Sequence, residues 1–137
     1  MKGLFLIILT AIISLKADFT QTKTVALMNE PQVSTGHMEY RAPDYLQWEY
    51  ISPQPVVWRM DGNTCNVNPP IQRLLRMIMA SIAGGNKQDE KVMREAKRFF
   101  QSIHIVMDED KEVAKRVEMT EKNGDTTIIE FTNVVAQ

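Results

Sequence analysis

Between Gly36 and Asp61 the chain keeps a two-residue period. Met38 and Tyr40 alternate with His37, Glu39 and Arg41. Leu46, Trp48 and Tyr50 alternate with Gln47 and Glu49, and Val56, Trp58 and Met60 with Val57, Arg59 and Asp61. Pro43-Asp44 separates the first two runs; Pro53 and Pro55 separate the last two. Successive side chains of a strand point to opposite faces, so these runs predict half-buried antiparallel strands sharing one apolar face. Asp61-Gly62-Asn63 predicts a hairpin turn into a short strand near Thr64 to Val67.

At Asn68 the period changes. Asn68 can cap a helix, with Pro69 or Pro70 in its first turn. Ile71, Leu74, Leu75, Ile78, Met79 and Ile82 follow at helical spacing, and Gly84-Gly85 supplies a stop. Residues 86–98 are highly charged and read as an exposed second helix or a loop. Strand signals return at Ile103, Ile105 and Met107, then a polar turn at residues 108–111, then Val113, Val117 and Met119. Asn123-Gly124 predicts a type I′ hairpin turn, with Thr126 to Val134 as the closing strand. The order is three or four strands, a lid-like helix and three strands. That is a mainly β (α+β) chain built on a curved antiparallel sheet.

The N-terminus reads differently. Met1-Lys2-Gly3 is a short positive start, Leu4 to Leu15 is apolar apart from Thr10 and Ser14, and Ala17 is small. This is the layout of a signal peptide over residues 1–17, leaving one domain over 18–137. About twelve positions are short of the roughly 20 that a membrane-spanning helix needs. No cysteine follows closely, so a lipid-anchored start is not expected, and the periplasm is the expected compartment.

Motifs that carry chemistry are sparse. A net charge of −1 gives no basic field for nucleic acid. The single cysteine, Cys65, excludes an internal disulfide framework and a Cys-rich zinc site. His37 and His104 have no second ligand at metal-binding spacing and read as sheet-surface residues. Asp108-Glu109-Asp110 lacks the glycine and terminal glutamate of a calcium loop. The expectation is no catalytic residue, no metal, no cofactor and no enzyme. A distribution of large apolar groups remains, nine methionines among them. Methionine fills gaps in small cores and also serves surfaces that accept irregular apolar partners. An apolar sheet face under an amphipathic helix is a physical recipe for a lipid-binding cleft.

Several blocks carry a family likeness. Phe19-Thr20-Gln21, Gly36 to Pro43, Leu46 to Pro53 and Met60-Asp61-Gly62 occur in order, and residues 103–108, 113–119, 123–126 and 129–134 follow. This pattern resembles the LolA-like outer-membrane lipoprotein carriers. The resemblance implies an open, incomplete antiparallel β-barrel with a helical lid over an apolar cavity. It implies a soluble periplasmic monomer that accepts acylated lipoproteins from an inner-membrane lipoprotein-releasing transporter and delivers them to an outer-membrane acceptor. The expected ligand-binding residues are Met38, Tyr40, Leu46, Trp48, Tyr50, Trp58 and Met60 on the sheet, with Leu74, Leu75 and Ile78 on the lid. The family has an arginine immediately before the proline, where this chain has Ala42, with Arg41 one place earlier. The family also has a helix before the F-x-Q strand and more strands after the lid than residues 86–100 offer. Such shortening would leave strand edges exposed, so the alternative function is a β-sheet interaction module without an enclosed lipid.

Overall fold

A computed structural model describes residues 14–28, 30–84, 94, 97–98, 100–108 and 113–137. The strands are β1 (Ser14–Thr24), β2 (Gln32–Arg41), β3 (Tyr45–Ser52), β4 (Val56–Asp61), β5 (Thr64–Cys65), β6 (Phe100–Asp108), β7 (Val113–Glu121) and β8 (Thr126–Ala136). Helix α1 (Pro69–Gly84) stands between β5 and β6. The strands form one open antiparallel sheet in the order β5-β4-β3-β2-β1-β8-β7-β6. The chain meanders outward from β1 to β5 and crosses with α1 to the opposite edge. It then returns through β6 and β7 until β8 pairs with β1. The expected open sheet with a helix is what the chain forms.

Register follows from the alternation. Leu15 faces Tyr40, Tyr40 faces Leu46, and Leu46 faces Met60. Ala17, Met38, Trp48 and Trp58 form a second row, and Phe131, Phe19, Gly36, Tyr50 and Val56 a third. A slip of one residue would turn all three rows outward, so burial of this face fixes the pairing. Helix α1 approaches the sheet most closely at β7, and its Leu75, Met77 and Ile78 join one buried cluster with the strand residues. The expected cap is present: the Asn68 side-chain oxygen accepts from the Ile71 N–H at 3.2 Å. No described helix is long and apolar enough to cross a membrane.

Two expectations change, the number of strands before the helix and the type of the second turn. Five strands precede the helix, because β1 escapes the sequence reading: its apolar first half merges with the leader and its second half is polar. Residues 14–17, inside the segment read as a signal peptide, are part of that strand, and Leu15 and Ala17 are buried in the core. The second hairpin lies where Asn123-Gly124 predicts it, but its turn is not type I′. Only Gly124 has positive φ, at 95°. The Gly124 N–H donates to the Glu121 carbonyl at 3.0 Å and the Glu121 N–H to the Asp125 carbonyl at 2.8 Å. This is a three-residue loop with glycine in the left-handed position. Of the charged stretch 86–98, only Arg94, Lys97 and Arg98 are described, and all three are exposed. Residues 109–112 of the polar turn also lie outside the described residues.

On the outer face a polar knot ties β1, β2 and β8 together. Asn133, at φ 52°, sits where the β1–β8 register shifts and donates to Asp18 at 2.8 Å. The other Asp18 oxygen is 2.5 Å from His37 Nδ1. The Asn133 hydrogen bond first, and His37 second, hold the Asp18 carboxyl below its ordinary value of 3.8. A depressed folded-state pKa adds stability above the unfolded value that disappears as pH falls through the folded one. Asp18→Asn should therefore flatten the loss of stability below about pH 4, read as urea midpoints against pH. A second expected outcome concerns β1. A chain beginning at Asp18 should be less stable than one beginning at Ser14 by at least about 2 kcal/mol, roughly the value of burying Leu15 alone. Urea denaturation of the two chains measures the difference.

Candidate functional site

All ten residues expected to contact ligand lie in one cluster between the inner sheet face and α1. Met38, Tyr40, Leu46, Trp48, Met60, Leu75 and Ile78 are buried, and Tyr50, Trp58 and Leu74 are partly buried against them. They come from β2, β3, β4 and α1, so the site spans the meander and its lid.

An aromatic ladder runs through the centre. The Phe19 ring stacks on Trp48 with centroids 4.1 Å apart and planes 21° apart. Tyr50 meets Phe19 edge-on at 5.4 Å and Trp58 at 5.1 Å, and Phe131 meets Trp48 at 6.1 Å. Such offset and edge contacts add about 0.5–1.5 kcal/mol each beyond area burial. Gly36 makes the arrangement fit. A Cβ there would lie 2.7 Å from Phe19 Cζ and 1.9 Å from the Glu49 carbonyl oxygen. The Phe19 ring thus occupies the space that a side chain at position 36 would fill.

The Phe19-Thr20-Gln21 block now has a structural reason. Phe19 and Gln21 are two residues apart and share the inner face, and Gln21 accepts a 2.7 Å hydrogen bond from the Tyr50 hydroxyl. Burial pushes the Tyr50 phenol above the usual tyrosine range, opposed by hydrogen bonds with Trp48 and Gln21. The hydroxyl stays protonated at neutral pH and acts as a polar tip on an apolar wall.

Beside that tip a cleft of about 240 Å³ opens between Gln21, Ser34, Tyr50, Pro53, Gln54, Val56 and Trp58. It lies at the end of the sheet where the β3–β4 hairpin turns, and it leads to the aromatic ladder through Tyr50 and Trp58. A second cleft of about 270 Å³, on the outer face, is lined by Lys16, Asp18, His37, Glu39 and Glu49 among others. Its volume is larger, but its charged walls do not suit an apolar chain, so the cleft beside Tyr50 is the one continuous with the predicted site.

The remaining candidates fall elsewhere. His37 and His104 are outward-facing strand residues, with side chains 55% and 73% exposed. Arg41 also faces outward: it pairs with Glu39 at 3.2 Å and lies over the Tyr45 ring at 3.9 Å. Among the described residues no group of three metal-ligating side chains comes together. Cys65 is a half-buried free thiol opposite Met60.

The sequence reading missed several members of the cluster. Met77 is buried although it lies off the predicted stripe, which shows that the apolar face of α1 is wider than that stripe. Leu15 and Ala17 fall inside the segment that reads as a leader. Val113, Val117, Met119, Ile129 and Phe131 complete the wall from β7 and β8. Their alternation is visible in the sequence, but only the β1–β8 pairing carries them to this site.

A sequence model of the family described as outer membrane lipoprotein carrier protein LolA matches residues 10–78. The match covers β1 to β5 and α1 as far as Ile78, and so includes all ten candidate residues. No curated protein matches the chain.

The Phe19–Gly36–Trp48 contact yields a test by double mutant. Gly36→Ala should cost about 2–3 kcal/mol through overpacking, and Phe19→Ala about 3–5 kcal/mol through the cavity it leaves. The nearer obstruction at position 36 is the Glu49 carbonyl oxygen, which Phe19→Ala leaves in place, so the double variant should cost close to the two added together. Urea unfolding followed by tryptophan fluorescence measures all three.

Proposed function

The chain belongs to the LolA family of outer membrane lipoprotein carrier proteins, and we propose that it is a periplasmic carrier that shields lipoprotein acyl chains between the inner and outer membranes. Each methylene withdrawn from water contributes about 0.8 kcal/mol, so the task needs an apolar surface that is available to cargo yet hidden from solvent. The observation that carries the reading is the position of the ten residues: one apolar cluster beneath a single helix, bordered by a cleft at the open end of the sheet.

Leu75 and Ile78 are almost fully buried, at 0% and 2% exposure. An acyl chain entering beside Tyr50 therefore reaches Trp48 and Leu46 by taking the place of α1 on the inner face. The sheet is the fixed wall and the helix the exchangeable one. On this reading the N-terminal segment directs export, an inner-membrane lipoprotein-releasing transporter loads the carrier, and an outer-membrane acceptor unloads it. Binding and release need no covalent step, in keeping with a carrier family rather than an enzyme.

The chain's two tryptophans, Trp48 and Trp58, both lie in the site, so fluorescence reports directly on occupancy. A synthetic triacylated lipopeptide should shift their emission, and protein purified from the periplasm should carry lipid by native mass spectrometry. Val56 is 40% exposed at the cleft, so Val56→Asp should leave folding intact and weaken lipopeptide binding by roughly tenfold, the effect of opposing an apolar chain with a charge. A lipid-free mass together with unchanged emission would exclude the carrier reading.

A further inference from the structure

An open sheet has two edges, and this one treats them differently. On the β4 side, β5 pairs only with Met60 and Asp61. Beyond it, Asn66 occupies the edge as a substitute strand. Its side-chain amide donates to the Val57 carbonyl at 3.1 Å and accepts from the Arg59 N–H at 2.8 Å. Its own N–H donates to the Arg59 carbonyl at 3.4 Å. That edge is filled.

The other edge is β6. It ends the strand order, and no described strand pairs with its outer side. Edges are usually guarded by lysine, proline, inward charges or bulges. Phe100–Asp108 contains no lysine or proline, and its one formal charge, Asp108, is at the end. Register shifts occur between Phe100 and Ser102 and between Val106 and Met107, which leaves Ser102 to Val106 regular. Within that stretch Ile103 and Ile105 face Met119 and Val117 on the inner side, and both are only partly buried.

We propose that β6 pairs antiparallel with β6 of a second copy of this chain, about a twofold axis at His104. The regular stretch is symmetric about that residue. Pairing sets Ile103 against Ile105 of the second copy, and Ile105 against its Ile103, continuing the apolar inner face across the junction. On the outer side Ser102 meets Val106 of the second copy, and no lysine, arginine or carboxylate is opposed. Between the two register irregularities no charge guards the edge, and that neutrality makes the stretch from Ser102 to Val106 self-complementary. This self-association departs from the monomer expected from the sequence, and it is independent of the acyl-carrier reading.

Sedimentation velocity over a micromolar-to-millimolar series tests it on the full exported chain. Wild type should pass from monomer to dimer. His104 is largely exposed beside Glu118, so His104→Lys should fold normally and, by opposing two lysines across the axis, weaken the dimer by roughly tenfold or more. His104→Gln should dimerise as wild type does, and so should Val57→Lys on the filled edge. A wild type that stays monomeric, a His104→Lys variant that dimerises unchanged, or a dimer lost in Val57→Lys overturns the proposal. A monomeric wild type whose His104→Lys variant loses lipopeptide binding would also overturn it, assigning the edge to cargo.

Discussion

The stacking of Phe19 on Trp48 across Gly36 is the contact on which the rest of the inner face depends. Beta1 is the central strand of the paired sheet, with β2 on one side and β8 on the other. Phe19 faces Phe131 on β8 and Gly36 on β2, and its ring reaches over the glycine to Trp48 on β3. One side chain therefore joins the meander β1–β5 to the returning strands β6–β8. Remove the ring, and both the third cross-strand row and the aromatic ladder lose their centre. Add a methyl group at position 36, and both the ring and the Glu49 backbone must give way.

The outer face holds the same three strands by other means. Asn133 turns its backbone into the left-handed region, which asparagine tolerates better than most residues, and so aims its amide at Asp18. Asp18 reaches His37 in turn. This knot is exposed and screened, so it adds little stability. It does sit where the β1–β8 register shifts, where backbone pairing alone leaves the strands least constrained. Dry packing on one face thus supplies the energy, and a polar chain on the other marks the register.

What could be read from the sequence follows the range of the forces involved. Alternation along Met38 to Met60 and the helical stripe from Ile71 to Ile78 are local, and both appear as expected. The ten candidate residues fall together because periodicity alone puts them on one face of each element. Position in the sheet is not local. Nothing in the spacing of Ile129 and Phe131 says that β8 returns beside β1, and this pairing is what brings them to Trp48. Beta1 itself is hidden for a physical reason. An apolar leader and an apolar buried strand have the same composition, so Leu15 and Ala17 read as either one. Asn66 is similarly opaque, since its service to β4 depends on a chain reversal at Gly62.

A buried site raises the question of what makes its opening affordable. Lifting α1 exposes Leu75, Met77 and Ile78, each stabilised by roughly 2 kcal/mol on burial, for a cost of about 6 kcal/mol. About eight methylenes of an acyl chain laid against the same wall return a similar amount at about 0.8 kcal/mol each. On the proposed carrier reading, exchange of these described helix contacts for cargo is near balance, which suits a carrier better than tight binding does. A much wider apolar face on α1 would hold the lid shut, and a narrower one would leave Trp48 and Leu46 wet in the empty protein. Among the described side chains of the helix, Leu75, Met77 and Ile78 are fully buried, with Ile71 and Leu74 half-covered beside them, and on the proposed carrier reading these are the contacts that an acyl chain replaces.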